Sequence, residues 1–191
     1  MIIAYHAVFT TYGTWLPNDP RGSYSKAIYN ERLRMLGRIK YGRQQPGPHR
    51  AMLLEFWGAA APRLGRPTFL IDENSRQIIG SAFGAVIQRL RIEAPACAIM
   101  NDHVHILVLR SKYRIEYIIN QLKGAATRAL GLENTPWTRS FWKVFIADSG
   151  ALVAAANYIQ ANPPSAGLAV QSWDFVRPPA VDHRRGGDGQ T

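Results

Sequence analysis

A single cysteine, Cys97, stands in the 191-residue chain, which excludes an intramolecular disulfide framework and any thiolate-rich metal site. No apolar run approaches the roughly 20 residues that a membrane span needs, so no membrane partner is expected. Met1–Thr11 has neither a basic n-region nor an apolar h-region, so no secretory leader is expected and a cytoplasmic chain is. Acidic residues are scarce, 13 Asp and Glu against 23 Lys and Arg, for a formal net charge of +10. Such an excess on so short a chain calls for a polyanion, a membrane surface or an acidic substrate. There is no internal repeat. Apolar residues make up 47% of the chain, which suffices for a packed core and excludes a disordered composition.

The positive charge is concentrated. Between Arg21 and Arg66 stand ten Lys and Arg against Glu31 and Glu55 alone, so this stretch carries +8 of the net +10. It also holds Pro46, Pro48, Pro62 and Pro67 and reads as a basic insertion over about 17–70, with short helices near Tyr29–Ile39 and Ala51–Gly58 joined by loops. Arginines among Tyr24, Tyr29 and Tyr41 suit phosphate contact with base stacking; the alternative is a solvated basic surface. Residues 171–191 read as a basic, Pro- and Gly-rich tail. The remainder, 1–170, reads as a single domain around the insertion.

Ile2–Tyr12 is rich in β-branched and aromatic residues and predicts a strand. Asp72 caps a predicted helix with Ile79, Phe83, Val86 and Leu90 at helical spacing. Ala96–Met100 and Val104–Arg110 flank Asn101-Asp102, a hairpin signal. Ser111 is the predicted cap of a second helix over Ile115, Ile118, Ile119, Leu122 and Ala126. Ser140–Ala147 predicts a fourth strand, and Asp148 the cap of a last helix that Pro163 and Pro164 stop. Strand, helix, strand, strand, helix, strand is the split β-α-β-β-α-β order of a ferredoxin-like α+β fold with one antiparallel sheet and an added C-terminal helix.

His103 and His105 lie two apart in the third strand, so both imidazoles project from one face while Val104, Ile106 and Val108 face the helix layer. Leu107 and Leu109 share the histidine face, and the Ala-rich last helix is its expected cover. That helix brings Tyr158 and Asn162, four apart and therefore neighbours. Two imidazoles and an amide oxygen make a Lewis-acid site for a phosphate, and a tyrosine oxygen beside it is a candidate nucleophile. Its ordinary pKa near 10 demands activation. Each piece has a plain structural alternative: a core histidine pair, a boundary tyrosine, a helix-terminal asparagine. His6, His49 and His183 lack partners at ligand spacing and read as structural or surface histidines.

Four segments carry a resemblance. Tyr5-His6-Ala7-Val8-Phe9-Thr10-Thr11-Tyr12-Gly13, Gly13-Thr14-Trp15-Leu16-Pro17-Asn18-Asp19-Pro20-Arg21-Gly22, Ile99-Met100-Asn101-Asp102-His103-Val104-His105-Ile106-Leu107-Val108, and Tyr158-Ile159-Gln160-Ala161-Asn162-Pro163 followed by Ala166-Gly167-Leu168 together resemble the single-tyrosine HUH transposases, close to the REP-associated branch. The resemblance implies a metal-dependent endonuclease and strand transferase acting on single-stranded or hairpin DNA through a 5′-phosphotyrosine intermediate, and hence a nucleoid-associated protein. It implies that His103 and His105 are metal ligands, Tyr158 the catalytic nucleophile and Asn162 a third ligand, with Mg²⁺ or Mn²⁺ as cofactor. The resemblance implies either a homodimer, as in the minimal relatives, or a monomer, the alternative that the REP-associated branch offers. The long insertion departs from the minimal pattern. For DNA contact the sequence offers Trp15, Arg21, Arg34, Arg38 and Arg43 in the insertion, and Lys123 and Arg128 on the polar side of the second helix. The competing readings are a non-cleaving hairpin binder on the same fold and a two-histidine phosphodiesterase, the latter lacking a second His-x-Thr or His-x-His.

Overall fold

Two periodicities in the sequence, two and 3.6, set the elements of the computed structural model, which describes residues 1–179. In chain order they are β1 (Ala4–Thr10), α1 (Glu31–Arg34), α2 (Arg50–Ala60), α3 (Glu73–Leu90), β2 (Ala96–Ile99), β3 (His103–Leu109), α4 (Ile115–Ala129), β4 (Trp142–Ile146) and α5 (Ser149–Ser165), with a short 3-10 turn, Ala61–Arg63, after α2. The described chain forms two units: one holds 1–9, 71–135 and the residues from 140 on, the other 10–70 and 136–139.

The first unit carries the sheet, in the order β2-β3-β1-β4. β1 runs antiparallel to β4, and β2 to β3. With α3 and α4 as the crossing helices, this is the ferredoxin-like order that the sequence predicts. Val104, Ile106 and Val108 are fully buried on one face. Phe9 meets Phe83 of α3 there, with ring centroids 6.2 Å apart, and Lys123 of α4 lies with its Nζ 5.2 Å from the Phe9 ring. Ala4, Ala96, Ala98, Leu107 and Ile146 face the other way and pack with Ala156 and Ile159 of α5, so α5 is the cover that Leu107 demands. Each fully buried Leu or Ile in that layer contributes about 1.5–3 kcal/mol.

Asp72 caps α3 and Asp148 caps α5, each carboxylate accepting from the backbone N–H three residues on. Three expectations are corrected. Ser111 does not cap α4: its hydroxyl accepts from the Tyr113 N–H, and the helix begins after Arg114 with no side-chain cap. Pro163 and Pro164 do not stop α5, which runs to Ser165. Both fall in its last turns, where the ring's fixed φ is helical and only two backbone donors are lost; the Ala166 and Leu168 N–H groups close the end on Asn162 and Pro163. Of the tail expected over 171–191, residues 171 and 177 are hydrogen-bonded to the sheet unit. Gln171 exchanges hydrogen bonds with both the N–H and C=O of Ile99, and Arg177 N–H donates to Ala94 C=O. Trp173 lies so close to Gly80 that an added Cβ would stand 2.1 Å from its ring. Residues 180–191, with His183, lie outside the described residues.

The basic segment is more than loops. Leu16, Ile28, Leu33 and Ala60 form its own small core, with Phe56, Trp57 and Leu64 packed against it. Asn30 caps α1 and His49 caps α2. Asn18, 2% exposed, donates to the Leu33 carbonyl. This second unit starts at Thr10 rather than near residue 17 and takes in 136–139, through the bridge of Thr11 with Trp137. The segment expected as a basic insertion with two short helices thus carries helices at Glu31–Arg34 and Arg50–Ala60 and an apolar centre of its own.

Candidate active site

β3 delivers the histidine pair as strand alternation requires. His103 Nε2 and His105 Nε2 lie 3.0 Å apart. The opposite nitrogen of each ring has its own partner. His103 Nδ1 is 2.6 Å from Asp102 Oδ1, and His105 Nδ1 is 3.0 Å from His6 Nε2. The four side chains form a line, Asp102–His103–His105–His6, with the two Nε2 atoms converging at its centre. α5 brings Tyr158 to its edge: the Tyr158 ring centroid is 5.8 Å from that of His105 and 6.1 Å from that of His6. Tyr158 is 56% exposed, so its phenol is open to a large substrate while Ile159 beside it is buried. Asn162, one turn on, donates from Nδ2 to the Tyr158 carbonyl at 2.7 Å.

His6 is the residue that the sequence reading misplaces. It is not a partnerless histidine, because the strand order sets β1 directly beside β3. Ala4, His6 and Val8 share a face of β1, and the adjacency follows from the ferredoxin order. The usable signal was therefore topological rather than a spacing.

Burial shapes the electrostatics. His105, 7% exposed, has its pKa pushed down to about 3, first by desolvation and then by the His103 and His6 charges, with Asp102 opposing. Burial also lowers the pKa of His6. A histidine that stays neutral in the folded state takes up its proton on unfolding, so stability is intact above about pH 6.5 and is lost as the pH falls from there toward 3. The slope is up to about 1.4 kcal/mol per pH unit for each proton that only the unfolded chain binds. Denaturant melts at pH 7.5, 5.5 and 4.5 are expected to show this fall, and His105→Ala to flatten part of it. Identical profiles for wild type and variant would contradict the burial of a neutral His105.

The expected DNA-contact residues fare unevenly. Arg21 is committed: its Nε and Nη2 donate to both Asp19 carboxylate oxygens and to the Thr14 carbonyl, and its guanidinium stacks 4.0 Å over Trp15. Trp15, exposed at its edge, donates from Nε1 to Gly22 C=O. Arg34 is exposed and paired with Glu31; Arg38 and Arg43 are exposed. All five lie in the second unit. In the first, Arg128 is exposed, but Lys123 is corrected from a polar helix face to the core. It is 7% exposed, donates to Ser140 C=O, and burial brings its pKa down to about 8. Cys97 is buried, which raises its thiol pKa. A cationic cavity of about 600 Å³, lined by Arg89, Arg91, Arg110, Lys112 and Tyr113 with Glu93 as its acid, was not apparent in the sequence because its parts come from two separate segments.

A ferredoxin-like sheet thus carries a histidine pair on a central strand, with an open tyrosine beside it on the covering helix. The sequence model of the IS200-like transposase family matches residues 65–162, from the end of the second unit through both histidines and Tyr158 to Asn162. The chain belongs to the IS200-like transposase family and is an enzyme of DNA transposition. Among solved structures it is similar to a REP-associated tyrosine transposase bound to a REP hairpin, at 15% identity over 91% of this chain and 74% of that one, with a TM-score of 0.50. A second similar structure is a candidate transposase from Deinococcus radiodurans R1, at 12% identity over 84% of this chain and 91% of that one, with a TM-score of 0.43. No curated protein sequence matches the chain significantly. Among the described residues, no helix is long and apolar enough to cross a membrane.

Proposed function

We propose that this transposase is a divalent-metal-dependent endonuclease and strand transferase of single-stranded DNA, of the REP-associated kind, with Tyr158 as nucleophile and DNA hairpins as substrate. The observation that carries it is the convergence of His103 Nε2 and His105 Nε2 beside the open Tyr158 ring. The donor set fits a metal: two nitrogens bound at about 2.1 Å to one ion at a right angle stand about 3 Å apart. Each ring is also backed at its other nitrogen, as ligand histidines are. Among the described residues no three His, Cys, Asp or Glu side chains form a metal-binding group, so oxygen donors would complete the set, and the Asn162 amide on α5 is the protein candidate that the sequence offers. When bound, the ion supplies Lewis acidity to a scissile phosphate. Two imidazoles suit Mn²⁺ better than Mg²⁺.

The chain's own residues do the rest. The Tyr158 oxygen loses its proton and attacks phosphorus; the O–P bond forms, the bond from phosphorus to the 3′-oxygen breaks, and that oxygen takes up a proton as a free 3′-hydroxyl. The 5′-phosphotyrosine retains the phosphodiester energy, so another 3′-hydroxyl reseals the strand by the reverse displacement without ATP. The α5 backbone fixes Tyr158 because Ala156 and Ile159 are buried on its other side. The hairpin bound by the similar solved structure supports the choice of substrate, and the +10 charge supports a nucleic acid. The test is a labelled hairpin with a single-stranded flank incubated with Mn²⁺ or EDTA and resolved under denaturing conditions. A protein-linked band with Mn²⁺ alone is expected. Tight binding without any adduct would leave a non-cleaving hairpin binder.

Salt dependence locates the DNA path. If the exposed arginines of the second unit meet phosphates, Arg34→Ala/Arg38→Ala/Arg43→Ala flattens the slope of log K against log salt by roughly 0.7 per lost contact, about 2 in all. An unchanged slope would move the path to Arg89, Arg91, Arg110 and Lys112, whose neutralisation would then produce the flattening.

A further inference from the structure

We propose that His6 is a positioning residue of the histidine site: its Nε2 accepts the Nδ1–H of His105 and so holds the His105 Nε2 lone pair toward His103. The inference rests on the metal reading of the pair but concerns a residue outside the matched stretch of 65–162. An imidazole with one proton carries it on one nitrogen only, and the partner of the other nitrogen decides which. At His103 the answer is set by Asp102, whose carboxylate only accepts, so Nδ1 bears the proton and Nε2 keeps its lone pair. Among the described residues, no carboxylate is hydrogen-bonded to His105 Nδ1. What stands there is His6 Nε2, 3.0 Å from His105 Nδ1, with the two rings tilted at 34° and their centroids 5.2 Å apart. When a cation takes the lone pairs of the two Nε2 atoms, which stand 3.0 Å apart, His105 carries its proton on Nδ1, and His6 Nε2 then does for His105 what Asp102 does for His103.

The same geometry argues against His6 as a third ligand. His105 presents opposite edges to His6 and to His103, and the His6 nitrogen that approaches is engaged on the far edge. The fold accounts for the placement. Ala4 and Ile3 anchor β1 in the layer under α5, and β1 continues with His6 paired to Val144 of β4 on its other side, so the ring is delivered to β3 from a central strand rather than from a loop.

The experiment has two arms. In the first, ¹⁵N-labelled protein loaded with Zn²⁺, a diamagnetic ion that imidazoles also bind, is read at pH 7.5 by long-range imidazole ¹H–¹⁵N correlation. Wild type is expected to show His105 as the Nδ1–H tautomer with a hydrogen-bonded, slowly exchanging proton, and His6→Ala to lose that protection. In the second, Mn²⁺ affinity is measured by calorimetry for wild type, His6→Ala, His6→Gln and His103→Ala. His6→Ala is expected to bind about 10–100-fold more weakly, and His6→Gln, whose amide oxygen can accept the same proton, to recover most of the loss. An Nε2–H tautomer for His105 in wild type overturns the proposal. So does His6→Ala affinity equal to wild type, or an equal loss in His6→Ala and His6→Gln, which would mean packing alone. A loss in His6→Ala as complete as in His103→Ala would make His6 a ligand instead. If wild type binds neither Mn²⁺ nor Zn²⁺, the metal reading fails for every variant alike, whereas failure of the His6 proposal leaves wild-type binding intact.

Discussion

Replacement of Tyr158 by Phe is expected to leave hairpin binding at wild-type affinity and to reduce strand cleavage to background. The substitution removes one oxygen from a ring that is 56% exposed, and the neighbours that seat α5, Ala156 and Ile159, are untouched. Folding stability should move by no more than about 0.5 kcal/mol, as for surface changes elsewhere. Chemistry is affected in full, because without the phenol no covalent intermediate forms; loss of a nucleophile in another covalent enzyme lowers kcat by a factor on the order of 10⁶. A gel-shift titration and an adduct assay on the same labelled strand separate the two effects. Adduct in the Phe variant at even a tenth of the wild-type amount would mean that another residue attacks.

The second large effect falls on the histidine pair. His103→Ala and His105→Ala are each expected to abolish Mn²⁺-dependent cleavage and to weaken Mn²⁺ binding beyond the 10–100-fold expected on loss of a partner behind a ligand, because each removes one of the two converging nitrogens. Their effects on folding should differ. His103 is partly exposed, its side chain at 24%, so the metal-free His103→Ala protein should melt close to wild type. His105 is 7% exposed and sits beside Leu107 in the layer under α5. Its truncation opens space in a packed layer, while relieving the acid sensitivity that a buried neutral histidine imposes. Calorimetric Mn²⁺ titration beside melting curves at two pH values checks both. Unchanged Mn²⁺ affinity in both variants would return the pair to a structural role.

Local pattern carried much of this into view. The period of two put His103, His105 and Leu107 on one face, and the requirement that Leu107 be covered pointed to α5, which does cover it. The four-residue spacing put Asn162 one turn beyond Tyr158, as found. What stayed hidden depends on contacts between segments far apart in the chain. His6 meets His105 across 99 residues, a pairing that becomes visible only when the strand order is used to set β1 against β3. Lys123 appeared polar by residue type, yet its aliphatic stem and amine turn in toward Phe9 and Ser140. The Pro-Pro pair looked like a helix stop because proline's lost N–H matters in a helix interior; in the last turns the helix tolerates it. Charge and proline disguised the second unit, since ten basic residues drew the eye from Leu16, Ile28, Leu33 and Ala60, which lie far apart in sequence and close in space. Gly80 and Gly84 give no sign in sequence that Trp173 and Phe175 will lie against them.

The central claim is that the phenol of Tyr158 becomes covalently bound to DNA, and peptide mapping tests it most directly. A hairpin oligonucleotide with a single-stranded flank is incubated with the wild-type protein and Mn²⁺, the complex is denatured, the DNA trimmed by nuclease, and the protease digest analysed by mass spectrometry. The account predicts one modified peptide, carrying a 5′-linked nucleotide phosphate on Tyr158, and none when EDTA replaces Mn²⁺. A nucleotide on any other side chain, or cleaved DNA with no modified peptide at all, would contradict it.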